Sequence, residues 1–165
     1  GRTGQALSGQ RIAIIGDVVH NRVARSDARV LHALGAEVVL AGPPMLLPNE
    51  NDEDWPPVER VSSRREALHG ADAVVMLRIQ TERSHGEVVD TNSFIREWGI
   101  SQSVVDEEME PHAPILHPGP VVRGVELTGP VADGPRSLVL DQVTIGVAVR
   151  QAVLLMALGG EGHKF

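Results

Sequence analysis

Arg78 and Gln80, two apart in Arg78-Ile79-Gln80-Thr81-Glu82-Arg83, are of a type and spacing that can hold a small anion. They follow the apolar run Ala73-Val74-Val75-Met76-Leu77, which is bounded by Gly70 and Asp72 and reads as a buried strand. At the end of a strand, side chains two apart point to the same side. A planar guanidinium there grips a carboxylate through two parallel hydrogen bonds. The plainer alternative is a solvated arginine at a strand end. Two other segments carry unusual residues where a strand stops. One is Gly16-Asp17-Val18-Val19-His20-Asn21-Arg22, running into a helix; the other is His117-Pro118-Gly119-Pro120. Arg22 stands at a helix start, where the dipole and the unpaired amides also favour an anion. Two arginines at one crevice call for two negative charges, which fits a small dicarboxylate. Taken alone, Arg22 is read equally well as a residue that merely starts a helix.

These residues need a scaffold that gathers strand ends. Residues 1–10 are Gly-rich and polar and read as a linker. Arg11 to Gly16 form a first strand, Arg22 to Leu34 a helix with Ala24, Ala28 and Leu31 on one stripe, and Gly35 its stop. Ala36 to Ala41 form a second strand, followed by a Pro- and acid-rich loop from Pro43 to Pro57, expected to be exposed. A short strand at 60–63, a short helix at 64–69 and the strand at 73–77 come next. Residues 81–97 read as a polar, Gly-interrupted loop, 101–109 as a Ser-capped helix, 114–117 as a last strand and 141–158 as a closing helix. Strands alternating with helices imply an α/β fold, a doubly wound parallel sheet of Rossmann-like form with helices on both faces. Such a sheet binds ligands outside the carboxyl ends of its strands.

Composition narrows the classes. The 165 residues suffice for one domain with a core, and 42% are apolar. Aromatic residues are only 2% and Tyr is absent, so Val, Leu, Ile and Ala must fill that core. A formal charge of −7, with no basic stripe, argues against nucleic acid as a partner. Without cysteine there is no disulfide, thiol nucleophile or Cys-based zinc site, and the seven histidines form no metal-binding pattern, so no metal or cofactor is expected. Only Gly16 follows the first strand, so the dinucleotide fingerprint GxGxxG is missing. No signal peptide is seen, and no apolar run reaches the roughly 20 residues that span a bilayer. The expectation is a soluble, cytoplasmic protein with no membrane partner.

The segments GDVVHNRVARSD (16–27), MLRIQTER (76–83), HPGPVVRGVEL (117–127) and QVTIGVAVRQAVL (142–154) resemble the catalytic chain of aspartate carbamoyltransferase, in its L-aspartate-binding half. The resemblance runs in order from about Gly9 to Leu158. It implies transfer of a carbamoyl group from carbamoyl phosphate to L-aspartate, in pyrimidine biosynthesis, with no cofactor. By resemblance, Arg22 holds the aspartate α-carboxylate, Arg78 the β-carboxylate, and Gln80 helps to orient the substrate. Gly119 and Pro120 fall where backbone carbonyls contact the reacting amine and carbamoyl groups. His117 is read as a packed, hydrogen-bonded strand-end histidine rather than a catalyst, Arg123 and Glu126 as an ion pair, and Asp17 as a turn-ordering residue or the partner of a base. Many relatives have Ser in place of Asn21, often Lys in place of Val19, and a larger apolar residue in place of Gly119.

The family binds carbamoyl phosphate through another domain, with an STRT-type motif and an HPxQ motif; neither occurs in these 165 residues. The resemblance therefore implies residues 1–10 as a linker from that carbamoyl-phosphate domain, 11–140 as the aspartate-binding domain, and 141–165 as the closing helix and tail. From Val143 to Leu158 the only polar side chains are Thr144, Arg150 and Gln151, so this helix should be buried on most faces, and the resemblance implies that the other domain covers it. A homotrimer is implied for the whole enzyme, with a dihydroorotase or a regulatory chain as further possible partners. Two other readings remain open at this point. One is the half of another carbamoyltransferase, such as one acting on ornithine, although that subfamily has an HCLP-type turn where HPGP stands here. The other is a non-catalytic Rossmann-like binding or regulatory module.

Overall fold

The computed structural model describes residues 7–50, 52–79 and 89–159. Five strands, β1 (Arg11–Ile15), β2 (Glu37–Ala41), β3 (Glu59–Val61), β4 (Ala73–Met76) and β5 (Ile115–Leu116), form one sheet in the order β3-β2-β1-β4-β5. Every pairing is parallel. The central strands are apolar at consecutive positions because both faces of a parallel sheet are covered. The pleat sends Ile12, Ile14, Val38, Leu40, Val75 and Leu77 into one core. Ala13, Ile15, Val39, Ala41, Val74 and Met76 enter the other. The expected doubly wound α/β arrangement is what the chain forms.

Helix α1 (Arg22–Ala33) covers the first face through Ala24 and Ala28, both fully buried. Two small residues let its backbone come close to the sheet. The side chain of Asn21 caps it, accepting the Val23 amide at 3.0 Å. Four helices lie against the opposite core: α2 (Arg64–Leu68), α3 (Thr91–Glu97), α4 (Gln102–Glu107) and α5 (Gly129–Ala132). They contribute Leu68, Phe94, Val104, Val105 and Val131 to it.

Three expectations need correction. Residues 91–97 are helical rather than loop: Asp90 caps α3 by accepting the Asn92 and Ser93 amides, and Phe94, 1% exposed, anchors it. One buried aromatic on seven residues leaves no visible period. The acid-rich loop is not wholly exposed, because Leu46, Pro48 and Trp55 are buried. Arg25 of α1 lies 5.7 Å from the Trp55 ring centre and bonds Asp54 at 3.1 Å, which clamps the loop to the helix. The third concerns the closing helix. It begins two residues earlier than expected, as α6 (Val139–Ala157), and its 19 residues, with a mean hydropathy of 1.5, are long and apolar enough to cross a membrane by length and composition.

Helix α6 is tied to the sheet at its start only. The Leu138 amide donates to the Ile115 carbonyl at 2.8 Å, and Gln142 Oε1 accepts the His117 amide at 3.2 Å. Beyond that the helix stands clear, with Leu154 54% and Leu155 59% exposed. Apolar surface on that scale drives association. The 165-residue chain should therefore show concentration-dependent self-association in sedimentation velocity. Leu154→Glu or Leu155→Glu should shift it towards monomer with its helical circular dichroism retained.

Candidate functional site

Strand order decides where a ligand can sit. The chain steps outward from β1 to β2 and β3, then returns to the other side of β1 as β4 and β5. The loop leaving β1 turns to α1 on one face, whereas the chain leaving β4 goes on to α3 on the other. Two adjacent strand ends whose exits part in this way leave a crevice between them. Arg22 follows β1, Arg78 follows β4, and Gly119 and Pro120 follow β5, three neighbouring strands of the sheet. Gln80 lies outside the described residues.

The crevice floor is drawn tight by glycine. Gly16 has φ +127°, and a Cβ there would lie 2.4 Å from the Leu77 carbonyl oxygen. Only glycine allows β4 to leave so close beside β1. The Gly16 amide donates to the Ala41 carbonyl at 2.9 Å, and the Leu77 amide to the Ile15 carbonyl at 2.8 Å. From there the first loop is pinned. The Val18 and Val19 amides donate to the Leu46 carbonyl at 3.1 and 3.0 Å. Asp17, 1% exposed, accepts the His20 amide at 3.2 Å and lies 2.9 Å from His20 Nδ1. Asp17 thus orders the turn that delivers an exposed Arg22 as the first residue of α1.

Arg78 is half-buried and is positioned by a carboxylate that sequence reading gave another role. Glu126, 1% exposed, is not the partner of Arg123. Its Oε1 accepts the Ile79 amide at 3.3 Å and its Oε2 the Val122 amide at 2.8 Å. One side chain thereby ties the segment after β4 to the segment after β5. Burial pushes the Glu126 carboxyl up from its ordinary range, while the Val122 and Ile79 amides and the nearby charge of Arg78 oppose that rise. Arg123 instead meets Asp133 in a two-pronged pair at 2.5 and 2.8 Å, on the surface. The sequence offered no sign of this exchange, since Arg123 is three residues from Glu126 and ten from Asp133.

The third segment is a tight turn around His117, which is 1% exposed. Its Nδ1 accepts the Gly119 amide at 2.9 Å, and Gly119 has φ +77°. Pro118 and His117 border an open groove of about 540 Å³ between the start of α1, at Val23, and α6, at Val143, Val147 and Arg150. A larger hollow of about 730 Å³ beside α2 is lined by Glu59, Glu66, Glu107 and Glu108 together with Arg11, Arg65 and His69, and there Arg11 is already paired with Glu59 at 2.6 Å.

Comparison with known proteins agrees with this fold. Residues 8–157 match the family described as aspartate/ornithine carbamoyltransferase, Asp/Orn binding domain. The chain belongs to that family. Because the match runs to residue 157, α6 is part of the shared domain. The chain is similar to the aspartate carbamoyltransferase catalytic subunit of Anaeromyxobacter sp. strain K, 47% identical over 164 residues, covering 96% of this chain and 50% of that one. It is likewise similar to the catalytic subunit of Nocardioides sp., 50% identical over 157 residues, covering 94% and 48%. Among solved structures, ornithine carbamoyltransferase from Pyrococcus furiosus superposes with a TM-score of 0.81 at 25% identity, covering 98% of this chain and 53% of that one. The catalytic subunit of M. jannaschii aspartate transcarbamoylase gives 0.74 at 26%, with the same coverage. The chain spans about half the length of the curated relatives it matches.

Two outcomes follow from the local geometry. Gly16→Ala should destabilise the domain by more than about 2 kcal/mol in urea unfolding, since its Cβ meets backbone and its φ is unfavourable. The second concerns His117, whose pKa burial lowers from 6.5 to about 4. Between those values the unfolded chain binds more protons than the folded one, so this contribution is complete above pH 6.5 and is lost as pH falls towards 4. The loss should reach at most about 3 kcal/mol, and His117→Asn should remove it from the stability–pH curve measured by denaturation.

Proposed function

We propose that this chain is the L-aspartate-binding half of an aspartate carbamoyltransferase. The observation that carries the reading is a half-buried Arg78 two residues past β4, at the strand-order reversal, on the same sheet edge as Arg22. Two cations at one edge suit the two carboxylates of aspartate. Arg22 takes the α-carboxylate at a helix start, and Arg78, with Gln80, takes the β-carboxylate. An ornithine side chain is itself cationic and would be repelled by Arg78. The identities of 45–50% to chains named aspartate carbamoyltransferase catalytic subunit support the same choice.

The chemistry joins two bound reactants. The aspartate amine attacks the carbamoyl carbon, a C–N bond forms, the bond from that carbon to the phosphate oxygen breaks, and the amine loses a proton as phosphate departs. This chain supplies the pocket for the nucleophile. Carbonyls at Gly119 and Pro120 accept hydrogen from the amine and the carbamoyl group and so aim the lone pair; a proline can serve there because only its carbonyl is needed. The remaining contacts to carbamoyl phosphate come from another domain, and bringing the two reactants into a near-attack pose is that assembly's main contribution to rate. We further propose that the complete enzyme is a cytoplasmic homotrimer, with α6 covered by the carbamoyl-phosphate domain.

In the full-length enzyme, Arg78→Lys should raise the aspartate KM ten-fold or more, because charge-assisted hydrogen bonds contribute roughly 1.5–3 kcal/mol each and an ammonium cannot reproduce the pair. Arg22→Ala should act in the same direction, and the carbamoyl phosphate KM should stay nearly constant in both. Initial-rate kinetics with aspartate and with ornithine test this directly. An unchanged aspartate dependence in both variants, or a wild-type preference for ornithine, would reject the assignment.

A further inference from the structure

The turn at His117-Pro118-Gly119-Pro120 is shaped from within, by a residue that nothing in the proposed reaction has yet used. His117 Nδ1 accepts the Gly119 amide hydrogen at 2.9 Å. A ring nitrogen that accepts carries no hydrogen, so a neutral His117 has its one hydrogen on Nε2. Burial keeps the ring in that neutral form well below neutral pH, with a pKa of about 4. Nε2 itself is buried and has no partner among the described residues. The Nδ1 contact runs from the side chain of one residue to the amide two further on. That is the pattern of an Asx turn, with a ring nitrogen in place of the usual side-chain oxygen. Gly119 has φ +77°, yet a Cβ there would meet nothing within 4 Å, so its conformation is not imposed by crowding. The hydrogen bond that its amide donates to His117 Nδ1 ties it into the turn. The His117 amide in turn donates to Gln142 Oε1 at 3.2 Å, which secures the base of the turn against α6.

We propose that His117 is a positioning residue for carbamoyl transfer: through Nδ1 it holds the Gly119 amide, and so fixes the direction of the turn's carbonyls that meet the substrate amine. The proposal rests on the functional reading given above. In this role His117 touches no reacting atom and transfers no proton. It acts through the backbone of Gly119 and Pro120, and what it requires is an acceptor one side-chain bond beyond Cγ.

That requirement separates positioning from simple packing. Asparagine presents an oxygen close to where Nδ1 stands and is the natural residue of an Asx turn. Glutamine carries its oxygen one bond further out, nearer Nε2, and cannot close the turn. In the full-length enzyme, His117→Asn should recover most of the activity. His117→Gln should raise the aspartate KM or lower kcat about ten-fold, the effect of one hydrogen bond. Melting temperatures of both variants are measured alongside. Equal kinetics for Asn and Gln, losses that follow melting temperature alone, or failure of both variants to fold would overturn the proposal and leave His117 as a packing residue. Absence of aspartate carbamoylation by the wild-type enzyme would instead overturn the functional reading, and this proposal with it, and is read without any variant.

Discussion

Gly16 meets the Leu77 carbonyl at a distance that no other residue tolerates, and this contact brings the ends of β1 and β4 together at the place where strand order reverses. The two exits then part to opposite faces, so the space between them cannot be filled by either loop. A crevice is the geometric residue of that parting. Gly42, whose own Cβ would lie 2.5 Å from the Gly16 carbonyl oxygen, extends the same tight contact to β2. These backbone contacts set where the start of α1 and the half-buried Arg78 emerge from the sheet.

Buried polar groups then stiffen the segments that the sheet brings out. Asp17, Glu126 and His117 are each 1% exposed and bind main-chain amides of the emerging segments: Asp17 after β1, Glu126 after both β4 and β5, and His117 after β5. A buried carboxylate that gives up water is stable only where fixed donors replace it. The same donors fix the loops in return. Glu126 is the most consequential of the three, because its two oxygens serve two loops and its charge lies near Arg78.

Helix α6 follows the opposite logic. Its start is joined to the sheet through Leu138 and Gln142, but most of its length is apolar and uncovered. The domain's own core is complete without it, as two clusters on either side of the sheet. The helix lies within the family's shared domain, yet it adds no buried residue to either cluster. Gln142 joins its start to the turn at His117 by one hydrogen bond.

Much of this was readable in the chain itself. Apolar runs of four to five residues bounded by Gly, Pro and Asp locate the strands, because a strand covered on both faces has no polar positions to interrupt it. The cap at Ser101 locates a helix, and the residue types at 16–27, 76–83, 117–127 and 142–154 indicate the family. Local chemistry writes such features into contiguous residues. Tertiary structure alone decided the rest. Helix α3 depends on one buried Phe94, whose burial no local pattern announces. Trp55 is drawn inward by a helix thirty residues away in sequence, and Glu126 leaves its neighbour Arg123 for amides at Ile79 and Val122. Those choices turn on which groups the fold brings within hydrogen-bonding distance, and on the cost of leaving a buried donor or acceptor unmatched. Neither quantity exists until the strands have been placed side by side.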